Sequence, residues 1–332
     1  MATGDATIRK ALPSQDDLKA RREHCSVDRR LLGSVGAAPG QQVRIRRTAT
    51  EYALYTVSEP RDEDEADVVR LGLTGRRRLG TDDPFDGAVV LPAADPTLSD
   101  CDAETRGELV ERLDDDGEHR GLIVIAPHGG DIEPHTDEQA EHVASRLGGY
   151  GVSSWRCKGW KRRREGGGGG ALECWHITST EIDPSSFPGL GSVIDRGFTH
   201  AVAFHGFDEP EILIGGTARE SLKEEIRCAV EAATRGSGIC VRLATPDDRF
   251  GGDDPCNIVN LLTLRGAGGI QIEQSLPARK DHGEAIANAV ATVYERRLRR
   301  HGPPWRENIS ELVDRIRHAA RRALDWGVRR LR

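Results

Sequence analysis

Residues 121–136 read GLIVIAPHGGDIEPHT, and this stretch decides the fold. Its apolar run, 121–127, is short, continuous and ends at a turn, which is typical of a strand buried on both faces. Similar runs follow at 199–206 (THAVAFHG), 211–216, 238–244 and 268–275 (GGIQIEQS), and amphipathic helical patterns at 136–147, 221–234 and 281–298 separate them. Strands that alternate with helices predict an α/β fold with a mixed, largely parallel sheet flanked by helices.

Composition divides the chain into four regions. Residues 1–40 are polar, and we predict partial disorder there apart from a short helix near 16–25. Residues 41–120 predict a small β-rich lead-in, and residues 121–300 the main core. Within that core we expect strands at 150–157 and 172–178, an exposed basic and glycine-rich loop (KRRREGGGGG, 161–170), and a capping box that starts the helix at Thr136 with Gln139. Residues 301–332 predict an arginine-rich amphipathic helix.

Bulk composition excludes several classes of protein. The formal net charge is −7, which gives no global reason to expect nucleic-acid binding. There is no run of 18 apolar residues and no apolar segment of the secretory type near the start, so we expect no membrane span and a cytoplasmic location. The seven cysteines form no CxxC pair, so neither a disulfide framework nor a zinc ribbon is predicted.

The last part of the chain carries a positive charge, unlike the chain as a whole. Between Glu295 and Arg332 there are twelve arginines against five acidic residues. We expect an amphipathic helix that docks on its own domain or on a second subunit to give a homo-oligomer, with solvated arginines. Binding of nucleic acid or another anionic polymer is the alternative.

Two histidines follow buried-type strands. His128 comes directly after the strand at 121–127, and Gly129 and Gly130 allow a tight turn that brings Glu133 back toward it. His205 stands in the same position at the end of the strand at 199–206. Because ligands gather at the carboxyl ends of strands in open α/β sheets, we expect both histidines to converge on one metal ion. For His128 and Glu133 alone, a strand end and a pair with an arginine explain the residues equally well.

A third signal lies at 268–275, where Gln271 and Glu273 alternate with Ile270 and Ile272. On a strand these two polar side chains share one face. A carboxylate near a metal could take a proton from water as a general base. An edge strand with a solvated polar face is the alternative.

Five segments in order, APHGGDIEPHT, WHITST, AVAFHGF, GDDPCNIVN and GIQIEQS, resemble the phage and bacterial poly-γ-glutamate hydrolase family, a compact relative of the zinc carboxypeptidases. The resemblance runs from about residue 41 to 294 and is most specific within 121–276. It implies a mixed α/β sheet between helices and endo-hydrolysis of the γ-amide linkage of polyglutamate.

The resemblance also implies a Zn²⁺ ion held by His128, Glu133 and His205, with Glu273 as the catalytic glutamate. By the same resemblance, the possible substrate contacts are His176, Ser179, Asn257 and Asn260. Arg156, which follows Trp155, is our candidate for holding a substrate carboxylate bidentately.

One position departs from the family pattern. An arginine is expected after the second asparagine of NIVN, but Leu261 stands there. Arg265, Arg242 or Arg156 must then bind the substrate carboxylate, or the substrate is another acidic amide conjugate.

Overall fold

The computed structural model describes residues 2–161 and 170–301. These residues form two compact units: one comprises 2–110, 159–161 and 170–188, and the other 111–158 and 189–301. The predicted arginine-rich helix, 301–332, lies outside the described residues apart from His301, and so does most of the predicted glycine-rich loop.

Strands and helices follow one another in chain order. The strands are β1 Ala2–Lys10, β2 His24–Asp28, β3 Gln42–Arg46, β4 Tyr52–Arg61, β5 Val68–Leu71, β6 Phe85–Leu91, β7 Leu109–Asp114, β8 Leu122–Gly130, β9 Ser153–Gly159, β10 His200–Gly206, β11 Glu211–Gly215, β12 Cys240–Leu243 and β13 Gly269–Gln274. The α-helices are α1 Asp16–Ala20, α2 Arg29–Val35, α3 Leu73–Arg78, α4 Asp100–Arg106, α5 Thr136–Arg146, α6 Ala171–Trp175, α7 Pro188–Val193, α8 Glu220–Ala233, α9 Ile258–Leu261 and α10 Leu276–His301.

The first unit contains a closed six-stranded barrel in the order β1-β5-β2-β4-β3-β6. Its hydrophobic core consists of buried aliphatic side chains, Cys25 and one tyrosine, and the fully buried members include Ile8, Val27, Ile45, Tyr55 and Val89. Closure pairs each strand on both sides, so the barrel has no free edge. A lead-in rich in β-strand was expected, but its closure into a barrel was not.

The expectation of a partly disordered segment at 1–40 is corrected by this barrel. β1 pairs with β6 and β5, and β2 pairs with β4 and β5. Only Ala6 and Ile8 of β1 are buried hydrophobic residues, which is too weak a periodic signal to indicate a strand. The backbone hydrogen bonds to two neighbouring strands, which the local sequence does not encode, hold β1 in place.

The second unit contains a seven-stranded sheet in the order β12-β11-β13-β10-β8-β9-β7. β8, β10 and β13 run parallel, whereas β11 is antiparallel to β13 and β12 follows the direction of β11. The expected mixed α/β sheet is therefore confirmed. Ile270 and Ile272 pack in the hydrophobic core formed with α5, α8 and α10, so Gln271 and Glu273 project from the opposite face.

Two local predictions are wrong. The segment at 172–178 was predicted as a strand, but residues 171–175 form α6, because a short apolar run does not distinguish a buried strand from a buried helix. Thr136 was predicted as a helix cap, but the N-cap is His135, in a left-handed conformation without a side-chain cap. Residues 159–188 also cluster with the barrel unit, so the predicted core at 121–300 is interrupted.

Among the described residues, no helix is both long and apolar enough to cross a membrane.

Candidate metal centre

Three neighbouring parallel strands carry the predicted site. β10 lies between β8 and β13, and His205 on β10 is directly opposite Glu273 on β13. His128 lies near the carboxyl end of β8. His128, His205 and Glu273 are at most 5% exposed. The sheet therefore brings these residues to the carboxyl ends of adjacent strands, where the sequence analysis expected them to meet.

Glu133 returns to this point through a tight turn. Its backbone N–H donates to the carbonyl of His128 at 2.8 Å. Its Oε1 lies 2.9 Å from Nδ1 of His128, and its Oε2 lies 3.3 Å from Nδ1 of His205. The backbone N–H of Gly206 donates to the same Oε2 at 2.9 Å. The structure thus brings the three predicted metal ligands together: the imidazoles of His128 and His205 both face the carboxylate of Glu133, and the centres of the two rings are 5.1 Å apart.

Asp137 holds the turn between His128 and Glu133 in place. Asp137 accepts a hydrogen bond from the backbone N–H of Gly130 at 3.0 Å and pairs with Lys158 at 2.9 Å. Gly130 has a φ of 66°, which glycine adopts at no steric cost. A Cβ at Gly129 would lie 2.6 Å from Cβ of Asp137. Both glycines after His128 are therefore required, one by its backbone conformation and one by a close neighbour.

Electrostatics separate the two carboxylates of the site. Burial by itself would raise the pKa of Glu133, but the charges and hydrogen bonds of His128 and His205 outweigh it and hold the pKa well below its usual range. Burial and the nearby charge of Glu133 raise the pKa of Glu273 well above its usual range. Two carboxyl groups with pKa values driven apart are typical of sites where one stays ionised and the other exchanges a proton.

The residues fit a catalytic zinc site. Two imidazole nitrogens and a carboxylate are ordinary zinc ligands, and three protein ligands leave a position open for water or substrate. The ligand atoms of His128 and Glu133 lie close enough to share one metal ion. A buried carboxylate between two imidazoles is also costly unless it is paired with protons or a cation. The identity of the metal stays a proposal.

The two predicted asparagine contacts flank the polar face of β13. The side chain of Asn257 accepts from the backbone N–H of Val259, which caps α9, and donates to Gln271. Asn260 is fully buried; its amide donates to the carbonyls of Gly252 and Asp254, and its Oδ1 accepts from the hydroxyl of Thr217. Asn260 therefore fixes the loop that precedes α9.

His176 and Ser179 belong to the barrel unit. Nδ1 of His176 lies 2.9 Å from Oε1 of Glu23. Burial raises the pKa of Glu23, but its hydrogen bond to His176, the charge of His176 and two arginines, Arg78 and Arg22, lower it to about 2. Glu23 is thus ionised and orients the ring of His176, a role that the sequence analysis missed.

The three candidate arginines differ in their partners. Arg156 is buried and its Nη2 lies 2.6 Å from Oδ2 of Asp114. Arg242 is held by the carboxylates of Glu211 and Asp248. Arg265 is exposed, with a left-handed backbone at φ 59°. A substrate carboxylate would therefore compete with protein carboxylates at Arg156 and at Arg242.

Arg279 is a cation of the site that the sequence analysis missed. It is 7% exposed, and its Nη1 donates to the carbonyl of Pro134, next to Glu133, at 3.0 Å. A Cβ at Gly206 would lie 2.2 Å from Cζ of Arg279, so the guanidinium packs directly on this glycine. Burial lowers the pKa of Arg279, while the charges of Glu133 and Glu273 raise it. Nothing in the local sequence LPARK distinguishes this arginine from an exposed one.

Comparison with known proteins gives one family. The model of the family described as poly-gamma-glutamate hydrolase matches residues 102–291, more than half of the chain. The SPbeta prophage-derived UPF0714 protein YoqZ of Bacillus subtilis (strain 168) is 28% identical over 164 residues. That alignment covers 49% of this chain and 52% of the relative, so the chain spans about half the length of this curated relative.

Two solved structures are similar over part or most of the chain. A bacteriophage poly-gamma-glutamate hydrolase is 26% identical, with a TM-score of 0.41, over 56% of this chain and 89% of that one. A metallo-carboxypeptidase from Burkholderia cenocepacia is 12% identical, with a TM-score of 0.35, over 77% of this chain and 79% of that one.

Proposed function

Because this chain belongs to the poly-gamma-glutamate hydrolase family, we propose that it is a zinc-dependent hydrolase of γ-glutamyl amide bonds that cuts poly-γ-glutamate internally. The observation that carries the proposal is the convergence of His128, Glu133 and His205, with Glu273 opposite His205 on the next strand. A metal-ligand set beside a buried carboxyl group is the arrangement that hydrolysis by activated water needs.

His128, Glu133 and His205 would hold the metal. When bound, zinc supplies a Lewis acid that polarises the scissile carbonyl and makes water more acidic. Glu273 takes a proton from the attacking water and then delivers it to the leaving amine nitrogen. The backbone N–H of Gly206 donates to Oε2 of Glu133, and Arg279 donates to the carbonyl of the next residue, Pro134. Both hydrogen bonds keep Glu133 in place.

The substrate contacts are proposed from the resemblance and weighed by their partners. His176, oriented by Glu23, is a suitable hydrogen-bond donor for a substrate carbonyl or carboxylate. Ser179 is 8% exposed, and we keep it as a candidate. The side-chain amide of Asn257 already donates to Gln271 and accepts from Val259, which favours a supporting role. The donors of Asn260 are already used within the protein, which favours a supporting role. For the substrate carboxylate, Arg156 would have to exchange Asp114 for the substrate, and Arg265 is the exposed candidate.

Incubation of the zinc-loaded protein with poly-γ-glutamate tests the proposal, with chain length followed by size-exclusion chromatography. Internal cleavage lowers the mean length early, whereas release from an end yields monomer first. Glu273→Gln should retain zinc and lose hydrolysis by a factor of about 10² to 10⁴, the range for general acid–base catalysis. Glu224→Gln, the same change on the surface of α8, is the matched control. Full activity of Glu273→Gln would remove the assigned role of Glu273.

Leu261 motivates a second candidate, in which the same fold and metal act on another acidic amide conjugate. Leu261 is the last residue of α9 and lies one helical turn after Asn257. The arginine that the resemblance leads us to expect at this position would therefore lie on the same side of the helix as Asn257. If the zinc-loaded wild type leaves poly-γ-glutamate intact, and Leu261→Arg gains cleavage, this second candidate is favoured. Rapid cleavage by the wild type excludes it.

A polymer-binding role for the arginine-rich tail rests on residues outside those described. Affinity for a polyanion that falls steeply with salt, and that is lost on deletion of residues 302–332, would support it.

A further inference from the structure

Glu273 is the end of a chain of three buried polar side chains. Asn257, Gln271 and Glu273 are 4%, 5% and 5% exposed. Nδ2 of Asn257 donates to Oε1 of Gln271 at 2.7 Å, and Nε2 of Gln271 donates to Oε1 of Glu273 at 2.8 Å. Side-chain amides can be turned over by 180°, so the direction of these hydrogen bonds needs an independent argument.

Two backbone groups fix that direction from opposite ends. The N–H of Val259 can only donate, and it donates to Oδ1 of Asn257 at 3.2 Å. Nδ2 of Asn257 must therefore be the atom that faces Gln271, and it can only donate. At the other end, the carbonyl of Phe250 can only accept, and it accepts from Nε2 of Gln271 at 3.2 Å. Both anchors require Oε1 of Gln271 to be the acceptor and Nε2 to be the donor.

The position of Gln271 is fixed as well as its direction. Gly252 has a φ of 69°, and a Cβ there would lie 2.6 Å from Cβ of Gln271. The loop before α9 therefore packs closely on Gln271. The alternating strand pattern of β13 places Gln271 and Glu273 on the same face, two residues apart. Neither the amide of Asn257 nor that of Gln271 can turn over without leaving a buried donor or acceptor unpaired, which is costly.

The consequence concerns the two oxygens of Glu273. Oε1 receives an N–H from Gln271, so a proton on Oε1 would face another donor proton. Within residues 2–161 and 170–301, the structure gives Oε2 of Glu273 no hydrogen bond. We propose that Asn257 and Gln271 are positioning residues that hold Glu273 so that Oε2 is the oxygen that accepts and releases the catalytic proton.

This inference rests on the proposed function. In the proposed step, an O–H bond of water breaks, its proton forms a bond with Oε2, and the oxygen electron pair attacks the carbonyl carbon. As the C–N bond then breaks, the proton leaves Oε2 for the amine nitrogen. Gln271 keeps its hydrogen bond to Oε1 throughout, so the carboxyl group does not rotate between the two transfers.

Two substitutions of Asn257 distinguish its role in the hydrogen-bond chain to Glu273 from its role as the N-cap of α9. Both Asn257→Asp and Asn257→Ser keep an oxygen that can cap α9. Asn257→Asp replaces the donor to Gln271 by an acceptor, which at pH 8 is an ionised carboxylate facing Oε1 of Gln271. Asn257→Ser withdraws the amide donor from Gln271 without adding charge, because the serine hydroxyl lies on a shorter side chain, and the carbonyl of Phe250 still holds Nε2 of Gln271.

The proposal therefore expects Asn257→Asp to be the worse variant. With poly-γ-glutamate as the probe, kcat should fall at least about 20-fold in Asn257→Asp, with KM changed less than about threefold, because a misplaced catalytic group costs up to about 10² in rate. Asn257→Ser should lose less than about fivefold. A packing role predicts the reverse order, because serine leaves the larger cavity, and a pure capping role predicts no loss in either variant.

Gln271→Met removes the donor to Glu273 without adding charge. Its kcat should fall as far as that of Asn257→Asp while zinc content stays at the wild-type level. Equal activity of Asn257→Asp, Gln271→Met and the wild type, together with an inactive Glu273→Gln, would overturn the proposal and leave the proposed function standing. An active Glu273→Gln would overturn both.

A second measurement does not depend on activity. With glutamine-selective ¹⁵N labelling, the side-chain amide of Gln271 is assigned as the resonance missing in Gln271→Met. We expect slow hydrogen exchange of this amide in the wild type and in Asn257→Ser, and at least tenfold faster exchange in Asn257→Asp. Equal exchange in Asn257→Asp and the wild type would refute the fixed orientation even if poly-γ-glutamate is not a substrate.

Discussion

The glycine that follows His205 offers a direct test of how the metal ligands are supported. A methyl group at Gly206 would lie 2.2 Å from Cζ, 2.3 Å from Nη1 and 2.6 Å from Nη2 of Arg279. Each distance is far below van der Waals contact, so in Gly206→Ala the guanidinium must move away. Because Nη1 of Arg279 donates to the carbonyl of Pro134 at 3.0 Å, that movement also breaks a hydrogen bond of a buried charge.

The expected cost combines both effects. Overpacking of a buried site costs about 1–3 kcal/mol, and a hydrogen bond to a charged group contributes about 1.5–3 kcal/mol. We therefore expect Gly206→Ala to lower the free energy of unfolding by about 2.5–6 kcal/mol. Zinc affinity should fall about 10- to 100-fold, because Gly206 donates to Glu133 and Pro134 follows Glu133.

Urea denaturation of the metal-free protein gives the first quantity, and competition with a chromophoric chelator gives the second. Gly148→Ala is the matched control, since nothing lies within 4 Å of a Cβ at Gly148. The double variant Gly206→Ala with Arg279→Ala removes the clash, so its destabilisation should be smaller than the sum of the single effects by at least about 1 kcal/mol. A stability of Gly206→Ala within about 0.5 kcal/mol of the wild type would refute the reasoning.

Three further predictions test the centre and the barrel. Dialysis against a chelator should abolish hydrolysis, and zinc chloride should restore it. His205→Ala should bind zinc at least about 100-fold more weakly in titration calorimetry, and an unchanged affinity would exclude His205 as a ligand. Asp137→Asn should weaken zinc binding about tenfold without loss of fold, because Asp137 holds the turn that carries Glu133, and wild-type affinity would argue against that support. Glu23→Gln should destabilise the protein at pH 7 by up to about 3 kcal/mol, because the pKa of Glu23 falls from 4.5 to about 2 on folding. That contribution is present in full above pH 4.5 and is lost as the pH falls toward 2, so the two unfolding free energies should converge at low pH; a constant difference would contradict the pKa assignment.

The sequence predicted the residues whose local pattern carries the information. β8 and β10 are continuous apolar runs that end at His128 and His205, and such runs predict buried strands. Glu273 was predicted as a candidate because alternation on β13 put a carboxylate on one face of a buried strand. The return of Glu133 to His128 was predicted more from resemblance than from spacing, and the geometry of the turn now explains it.

The residues that the sequence did not reveal depend on contacts between distant segments. β1 has few apolar residues and is a strand because β5 and β6 pair with it. Glu23 and His176 are far apart in the chain, and only the fold joins them at 2.9 Å. The buried position of Arg279 follows from the turn onto which α10 packs, and no local period marks it. Long-range pairing of this kind is not encoded in a window of residues.

The short motifs of this chain each contain a residue for the chemistry and a residue that holds it. In HG, His205 is the proposed ligand, and Gly206 leaves room for Arg279 and donates to Glu133. In QIE, Glu273 is the proposed acid or base, and Gln271 donates a hydrogen bond to it. The side chain of Leu261 adds nothing to this supporting layer: its backbone N–H donates to the carbonyl of Asn257 at 3.0 Å, whereas the hydrogen bonds from Asn257 to Glu273 run through side chains. The loss of an arginine there would consequently change which substrate binds while the machinery for hydrolysis stays intact, which is why substrate identity and hydrolytic mechanism need separate experiments.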